Sequence, residues 1–436
     1  MRLLRPAAAL LALSLVPAAL AQGPPSGYYA SVDTSSSQAL RTTLHAVIDD
    51  HTRLPYTSGS TDTWDALELA QQDPANAGAI LDIYRNRSYA KQGGGNAFYQ
   101  REHTWPTSYG FPDDGSQNMP YTDCHMLFLC DGQYNFQRSN KPFGTCSAQC
   151  SELTTDFNDG AGGGSGVYPG QSNWTAGAFS SGTFEVSVFR RGDLARAMLY
   201  ADVRYEGGTH GITGVTEPDL ILTDNLGQVG GSNTGQNESI AYMGRLAILL
   251  GWHLEDPVDD FERRRNDVVA SFQGNRNPFV DHPEWVDCLF NDACEPGGIY
   301  CSPAFANSTG LPATIEGRGS AVLANDDFRL VAGQLPANSA GYFLCSRIPG
   351  VVFQPGGSQG VLCLSSPLGR VVGGQVLNSG VFGSFGIGVD LAALPQPTGS
   401  VAAVAGETWR FQAWFRDVVG GQVTSNFTDG WEVTWQ

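Results

Sequence analysis

Apolar residues recur with helical spacing through the early part of the chain, and this spacing predicts that residues 28–87 are mainly helical. The positions that carry it are Leu40, Leu44, Val47 and Ile48, and then Ile80, Ile83 and Tyr84. The same spacing predicts a later helix over residues 192–205. Residues 109–121 are rich in Gly, Pro and Asp, which predicts a surface loop rather than a packed element.

From residue 297 onward the pattern changes to short β-prone runs separated by Gly, Pro, Asn and Ser. These runs occupy residues 351–353, 360–364, 409–415 and 431–435. Several short strands with such punctuation predict a β-sandwich. We therefore expect an α+β protein, with a mainly helical domain around a small sheet over residues 22–295 and an all-β, sandwich-like domain over residues 296–436.

The first 21 residues have the pattern of a signal peptide. Arg2 and Arg5 precede the apolar run 7–20, and Ala19-Leu20-Ala21 has the small residues of a cleavage site. Cleavage is expected after Ala21. No later apolar run reaches the roughly 18 residues that a membrane span needs. The sequence therefore predicts an exported protein, secreted or periplasmic, without membrane association.

The chain is acidic, with 25 Lys and Arg residues against 43 Asp and Glu residues and a net charge of −18. Residues 22–295 hold 17 of these basic and 35 of these acidic residues, whereas residues 296–436 hold 6 and 8. A nucleic-acid enzyme normally presents a basic surface to phosphates. Such a function here requires either basic residues clustered in a cleft or a saline habitat, where surface acids keep proteins soluble.

Nine cysteines fit export, because disulfides persist outside the reducing cytosol. Their number is odd, so at least one is not paired within the chain, and the pairing cannot be deduced from sequence. We expect those near the candidate site to be paired. None has the C-x-x-C spacing of a zinc ribbon. They fall at positions 124, 130, 146 and 150, and at 288, 294, 301, 345 and 363.

The most concentrated candidate chemistry lies in the segment 101–106, which reads REHTWP. Glu102 can hold a hard metal ion while the adjacent His103 activates water. An isolated Glu-His pair is most often an ordinary surface dipeptide. The short run 97–100 before it predicts the strand that delivers both residues.

A polar, amide-rich run at 133–140 supports the catalytic interpretation. If this run is helical, Asn135 and Arg138 share a face, because they are three residues apart. An amide oxygen for a metal ion and a guanidinium for a phosphate would then point the same way. The sequence thus predicts a strand, a loop and a helix that present Glu, His and Asn to one ion.

Five sequence blocks in this order resemble the bacterial secreted endonuclease I nucleases, which carry the ββα-metal (His-Me finger) motif. The resemblance spans roughly residues 27–290. It implies a metal-dependent endonuclease that acts on DNA, with RNA left open, with little sequence specificity and with 5′-phosphate products. The blocks are REHTWP at 101–106, DCHMLFL at 123–129, NFQRSNKPFG at 135–144, GDLARAMLYADVRY at 192–205 and the stretch 256–285.

The resemblance also implies roles for individual residues. His103 would be the general base, and Glu102 and Asn135 the protein ligands of one Mg²⁺, with Mn²⁺ or Ca²⁺ as alternatives. Asp123 is expected to be structural or to support the site, and His125 to be an orienting core histidine rather than the base.

The arginine that contacts phosphate in some relatives has no clear match here, because the inserted segment is short. Arg138 or Arg101 is the proposed substitute. Arg196 either pairs with an acid or contacts phosphate, and the sequence does not decide between them. Arg263 and Arg264 belong to the densest basic run, which is either a solvated helix face or a phosphate-tracking surface.

Two other classes of function compete with a nuclease. An exported adhesive or carbohydrate-binding protein could retain an inactive nuclease fold, although the intact Glu102, His103 and Asn135 argue against it. A metalloprotease would need a second histidine four residues after His103, where Thr107 stands. We expect a monomer. The ligand of the C-terminal module is left open between a polymer and a cell surface.

Overall fold

The computed structural model describes residues 23–164, 166–294, 296–371 and 376–435, so the predicted signal peptide lies outside the described residues. None of the described helices is long and apolar enough to cross a membrane. The helices are α1 (Ser37–Ile48), α2 (Thr63–Ala70), α3 (Gly132–Arg138), α4 (Arg191–Arg204), α5 (Leu226–Ser232), α6 (Leu246–Glu255), α7 (Asp260–Gln273), α8 (Pro278–Asp281) and α9 (Trp285–Asn291).

The first part of the chain also holds short strands in small sheets. The strands are β1 (Gln72–Asp73), β2 (Asn76–Leu81), β3 (Ser88–Ala90), β4 (Tyr99–His103), β5 (Leu127–Asp131), β6 (Ser151–Leu153), β7 (Asn173–Ala176), β8 (Thr183–Glu185), β9 (Asp219–Leu222) and β10 (Ile240–Met243). Strands β1, β2 and β3 form one antiparallel sheet, β4 and β5 an antiparallel pair, β6 to β8 a third sheet, and β9 and β10 a parallel pair.

The helical prediction for residues 28–87 is therefore only partly right. α1 and α2 form, but Ile80 lies in β2 and pairs with Tyr89 of β3. Ile83 and Tyr84 follow that strand in a turn and are buried as predicted. A short apolar run fits the period of a helix or of a strand, and pairing with the neighbouring strands β1 and β3 decided in favour of β structure.

The helix α4 forms the centre of the first region, because every residue along it is buried. It packs against α6, α1 and β9. The predicted surface loop at 109–121 is also wrong in part, since Tyr109, Phe111 and Met119 belong to the same core. These three apolar residues outweigh the loop-forming composition around them, because burying each large side chain stabilises the fold by roughly 1.5–3 kcal/mol.

The β4–β5–α3 unit positions the candidate site. All five residues of β5 are buried, and its last residue, Asp131, caps α3 by accepting a hydrogen bond from the Gln133 amide. The chain then turns back, so that α3 packs on both β4 and β5. The predicted helix forms as α3, whereas the strand predicted over residues 97–100 begins at Tyr99 and continues through Glu102 and His103. The packing of α3 on β4 places the helix beside these two residues.

The C-terminal region is β-rich, as predicted. A seven-stranded antiparallel sheet and a three-stranded sheet enclose one core that includes Trp409, Phe411 and Phe328. This core shares no residue with the cores of the first region. The strands are β11 (Gly298–Cys301), β12 (Thr314–Arg318), β13 (Arg329–Gly333), β14 (Ala340–Ser346), β15 (Pro349–Phe353), β16 (Val361–Leu364), β17 (Gly369–Val371), β18 (Leu377–Asn378), β19 (Phe385–Gly388), β20 (Leu394–Pro395), β21 (Ser400–Val401), β22 (Thr408–Val419), β23 (Gln422–Phe427) and β24 (Gly430–Thr434).

The cysteines pair only in part as expected. Disulfides join Cys146 to Cys150, Cys288 to Cys294 and Cys301 to Cys363. Cys124 and Cys130, which lie closest in sequence to the candidate site, are buried free thiols, as is Cys345. The expectation that cysteines near the site are paired is therefore wrong for these two, because Cys124, before β5, and Cys130, within β5, are buried in two different apolar clusters as small side chains.

Candidate active site

Glu102 is a buried carboxylate with two partners on one oxygen. Its Oε1 accepts a hydrogen bond from the Tyr84 hydroxyl at 2.8 Å and lies 2.9 Å from an Arg138 nitrogen. Burial raises the pKa of Glu102, and Arg138 and Tyr84 oppose that rise. Both contacts use Oε1, so they leave the second oxygen, Oε2, available as a ligand for a cation.

Arg138 is turned inward and is only 1% exposed. Besides Glu102, it donates to the backbone carbonyls of His103 and Thr104, and its guanidinium lies 4.6 Å from the centre of the Phe143 ring. These contacts fasten α3 to the end of β4. Arg138 therefore orients the Glu102–His103 segment, and its burial does not favour the predicted contact with a phosphate.

The backbone fixes the tautomer of His103. The Nε2 atom lies 2.8 Å from the carbonyl oxygen of Tyr121, and a carbonyl can only accept, so Nε2 carries the hydrogen. The neutral ring then has its lone pair on Nδ1, where it can accept a proton. Burial, together with the nearby charges of Arg101 and Arg138, lowers the pKa of His103 to about 4 although the hydrogen bond to the Tyr121 carbonyl opposes the shift, so the ring is neutral near pH 7.

Aromatic rings form the wall behind His103. The Tyr56 ring is stacked with a centroid distance of 5.9 Å and an angle of 26°, and the Tyr121 ring lies at 4.6 Å. Sequence reasoning missed both tyrosines and also Tyr84. Tyr121 acts on His103 through a backbone carbonyl, which carries no residue-type signal, and Tyr84 reaches Glu102 only through the turn after β2.

Asn135 lies in α3, which packs on the strand β4 that carries Glu102 and His103. Its Nδ2 atom approaches the carbonyl oxygen of Arg101 at 3.4 Å, which directs the amide oxygen away from that contact. Among the described residues no three His, Cys, Asp or Glu side chains converge as a metal cluster. A cation here would thus rest on two protein oxygens, from Glu102 and Asn135, and keep several waters, which suits Mg²⁺.

Arg101 is held by internal contacts. Its guanidinium lies 3.3 Å from the centre of the Tyr56 ring and 4.3 Å from that of Trp64. It also donates to the hydroxyls of Thr63 at 2.8 Å and Thr57 at 3.1 Å. Arg101 therefore braces the loop that carries Tyr56, and these contacts occupy much of the guanidinium that a phosphate would need.

Asp123 is the centre of a buried polar network. It accepts hydrogen bonds from the hydroxyls of Tyr200 at 2.8 Å and Tyr205 at 2.9 Å, and from Gln273 Nε2 at 3.0 Å. Burial alone would raise the pKa of Asp123, but His51, His125 and the hydrogen bond from Gln273 hold it well below its ordinary value. The contacts agree with a structural role.

Two neutral histidines belong to the same network. His51 accepts a hydrogen bond from Arg204 at its Nδ1, and His125 Nε2 lies 3.1 Å from the Asn275 carbonyl. Burial lowers the pKa of His51 to about 3 and that of His125 to about 4. His125 is enclosed in the core, as predicted for an orienting residue.

This network predicts that acid destabilises the protein. Unfolded histidines bind protons below their ordinary pKa of about 6.5, whereas His51 and His125 resist protonation in the fold, so stability falls as pH drops from about 6.5 to about 4. The slope approaches about 1.4 kcal/mol per pH unit for each histidine. Asp123 contributes a further loss of stability as the pH falls below its unfolded pKa of about 3.9.

Urea unfolding between pH 7 and pH 4.5 measures this effect. The variant His51→Gln removes one titrating group, so its stability should depend less steeply on pH than that of the wild type. A free energy of unfolding that stays constant over this range would contradict the assignment.

The remaining candidate arginines lie in three different environments. Arg196 is fully buried and forms a salt bridge with Glu262 at 2.5 Å, so the structure favours pairing over phosphate contact. Arg264 donates to the Gln72 carbonyl. Arg263 is exposed and lies 3.1 Å from Asp260 in an ion pair of the solvated face of α7.

The geometry can be compared with known proteins. The family model described as Endonuclease I matches residues 36–284, which is more than half of the chain. The chain belongs to the endonuclease I family. An extracellular ribonuclease of Bacillus amyloliquefaciens is 36% identical over 263 residues, which cover 60% of this chain and 76% of that protein. An extracellular ribonuclease of Bacillus subtilis (strain 168) is 34% identical over 263 residues, covering 60% and 77%.

Family membership confirms the expected resemblance and the enzyme class. This endonuclease I family member is a nuclease, a hydrolase that acts on nucleic acid, and its extracellular relatives and disulfides indicate a secreted protein. The metalloprotease alternative is thereby wrong.

Proposed function

We propose that this nuclease cleaves phosphodiester bonds by metal-assisted hydrolysis in a ββα-metal (His-Me finger) site. His103 is the general base, and Glu102 and Asn135 are the protein ligands of one Mg²⁺, with Mn²⁺ or Ca²⁺ as possible replacements. The observation that carries the proposal is the hydrogen bond from His103 Nε2 to the Tyr121 carbonyl. It holds a neutral imidazole with Nδ1 as the proton acceptor, one residue from a buried carboxylate.

Each residue has a separate task in this reaction. His103 Nδ1 takes a proton from the attacking water. Arg138 and Tyr84 keep the Glu102 carboxylate oriented, and Asn135 contributes a neutral oxygen from α3. A divalent cation held by these oxygens would supply positive charge for the scissile phosphate and the leaving 3′ oxygen. Breakage of the bond to the 3′ oxygen gives 5′-phosphate and 3′-hydroxyl ends.

We propose that both DNA and RNA are substrates, with little sequence specificity. The roles assigned to Glu102, His103 and Asn135 concern only water, cation and phosphate, which the two polymers share. The named activity of the two Bacillus relatives is ribonuclease, and this supports RNA as a substrate beside DNA.

Purified full-length protein should cleave both a supercoiled plasmid and a single-stranded RNA with Mg²⁺, and neither with EDTA. The product ends test the chemistry, because a 5′-phosphate blocks labelling by a polynucleotide kinase until a phosphatase removes it. Cleavage that survives EDTA, or RNA products with 2′,3′-cyclic phosphates, would contradict the mechanism, since the latter require attack by the ribose 2′-hydroxyl and not by water.

A further inference from the structure

The outer face of the seven-stranded C-terminal sheet carries a stacked row of side chains. Tyr342 of β14 and Trp414 of β22 are direct cross-strand neighbours, with ring centroids 4.9 Å apart and planes inclined by 26°. The Arg370 guanidinium lies 5.1 Å from the centre of the Tyr342 ring, and that of Arg416 lies 5.6 Å from the Trp414 ring. We call these four residues the arginine–aromatic row.

The row lies on the face of the sheet opposite the core. Side chains alternate along a strand, and the neighbours Phe343, Ala413 and Phe415 belong to the core between the two sheets. Tyr342 and Trp414 therefore point to the opposite face, where both are partly exposed and pack against the edge of a small apolar cluster of Leu344, Leu364 and Phe427. Contact with an aromatic ring restricts each arginine side chain, which reduces the entropy that binding would cost.

The two arginines of the row lack acidic partners. Within the described residues neither Arg370 nor Arg416 forms an ion pair or a side-chain hydrogen bond, and both are exposed. Three other arginines of the same region are neutralised by glutamates. These pairs are Arg318 with Glu316, Arg347 with Glu407, and Arg410 with Glu432.

The surroundings of the row keep its charge uncompensated. The other positions on this face of β14 and β22 include no acid, and three of them, Leu344, Ser346 and Gln412, are buried. The remaining positions on this face are Ala340, Thr408, Arg410 and Val418. Asp417, between Arg416 and Val418, is buried on the other side of β22 and accepts from the Ser308 and Val418 amides. In a chain with a net charge of −18, the row places two cations beside two aromatic rings on one face of the sheet.

We propose that the arginine–aromatic row binds single-stranded nucleic acid, DNA or RNA. Guanidinium groups bind phosphates through paired hydrogen bonds, and unpaired bases stack on aromatic rings and on arginine planes. A neutral polysaccharide could stack on the rings but would offer no anionic group to the two arginines. The row thereby holds the secreted nuclease on its polymeric substrate, a binding function separate from the proposed cleavage.

Fluorescence anisotropy with a labelled single-stranded oligonucleotide tests the row in full-length protein. EDTA in the buffer removes cleavage, so binding is measured whether or not the nuclease mechanism is correct. The double variant Arg370→Ala/Arg416→Ala should bind roughly tenfold more weakly. The slope of log K against log salt should fall in magnitude by about 1.4, since each phosphate contact on a single strand contributes about 0.7.

A matched control removes the same charge from the other sheet. Arg318 and Arg329 lie opposite each other on β12 and β13, and Arg318→Ala/Arg329→Ala should leave the affinity and the slope unchanged. Equal binding by the wild type and the row variant would overturn the proposal, as would an equal loss in the control. The proposal would also be overturned in favour of carbohydrate binding by a different pair of results. These are sedimentation of the wild type and the row variant with insoluble cellulose or chitin, and no binding of the oligonucleotide by either protein.

Discussion

His103→Ala is expected to lower phosphodiester cleavage by roughly 10²-fold or more, because the site loses its proton acceptor. Binding of Mg²⁺ and of nucleic acid should persist, since the proposed cation ligands Glu102 and Asn135 are unchanged. Plasmid nicking over a range of Mg²⁺ concentrations measures the first effect, and oligonucleotide binding measures the second. Added Mg²⁺ should not restore His103→Ala.

Variants of the proposed cation ligands should fail differently. Glu102→Ala and Asn135→Ala should require more Mg²⁺, and Asn135→Ala should recover in part at high concentration because water can replace one neutral ligand. His282→Ala is the matched histidine control, since His282 is partly exposed and contacts Glu284. Recovery of His103→Ala with Mg²⁺, combined with no recovery of Glu102→Ala, would show that the two roles are reversed.

Arg138→Met should reduce both stability and cleavage. The substitution leaves the buried Glu102 carboxylate without its cation and the carbonyls of His103 and Thr104 without this donor. Removing one partner of a buried ion pair typically costs about 3–5 kcal/mol of unfolding free energy. Urea denaturation measures the loss, and cleavage should fall with it because Glu102 then loses its orientation.

A double variant tests whether Arg138 balances the charge of Glu102 or contacts a phosphate. Glu102→Gln/Arg138→Met should regain part of the lost stability, since no buried charge then remains unpaired. Arg263→Met is the matched arginine control, because Arg263 is exposed on α7, and its stability should stay within about 0.5 kcal/mol of the wild type. If Arg138→Met instead kept wild-type stability and only raised KM, Arg138 would be a phosphate ligand as the sequence suggested.

The basic run in α7 shows why residue type alone did not assign these arginines. Neighbours on a helix differ by about 100° in direction, so Arg263 meets solvent while Arg265 is buried and donates to the carbonyls of Cys124 and Leu127. The run was predicted as one surface, but it is divided between the solvent and the core. The sequence pattern does not show which arginine faces the core unless the orientation of the whole helix in the fold is known.

The sequence by itself determined the local order of the site, with β4 carrying Glu102 and His103 and α3 carrying Asn135, and it determined the β-rich C-terminal region. These features depend on residue type and short-range periodicity, which act within a few residues. Only the tertiary structure decided that Arg138 turns inward to Glu102, that the Tyr121 carbonyl sets the His103 tautomer, and that Cys124 and Cys130 stay unpaired. Each of these three features depends on how segments that are far apart in the sequence pack together. A local sequence pattern does not contain that information.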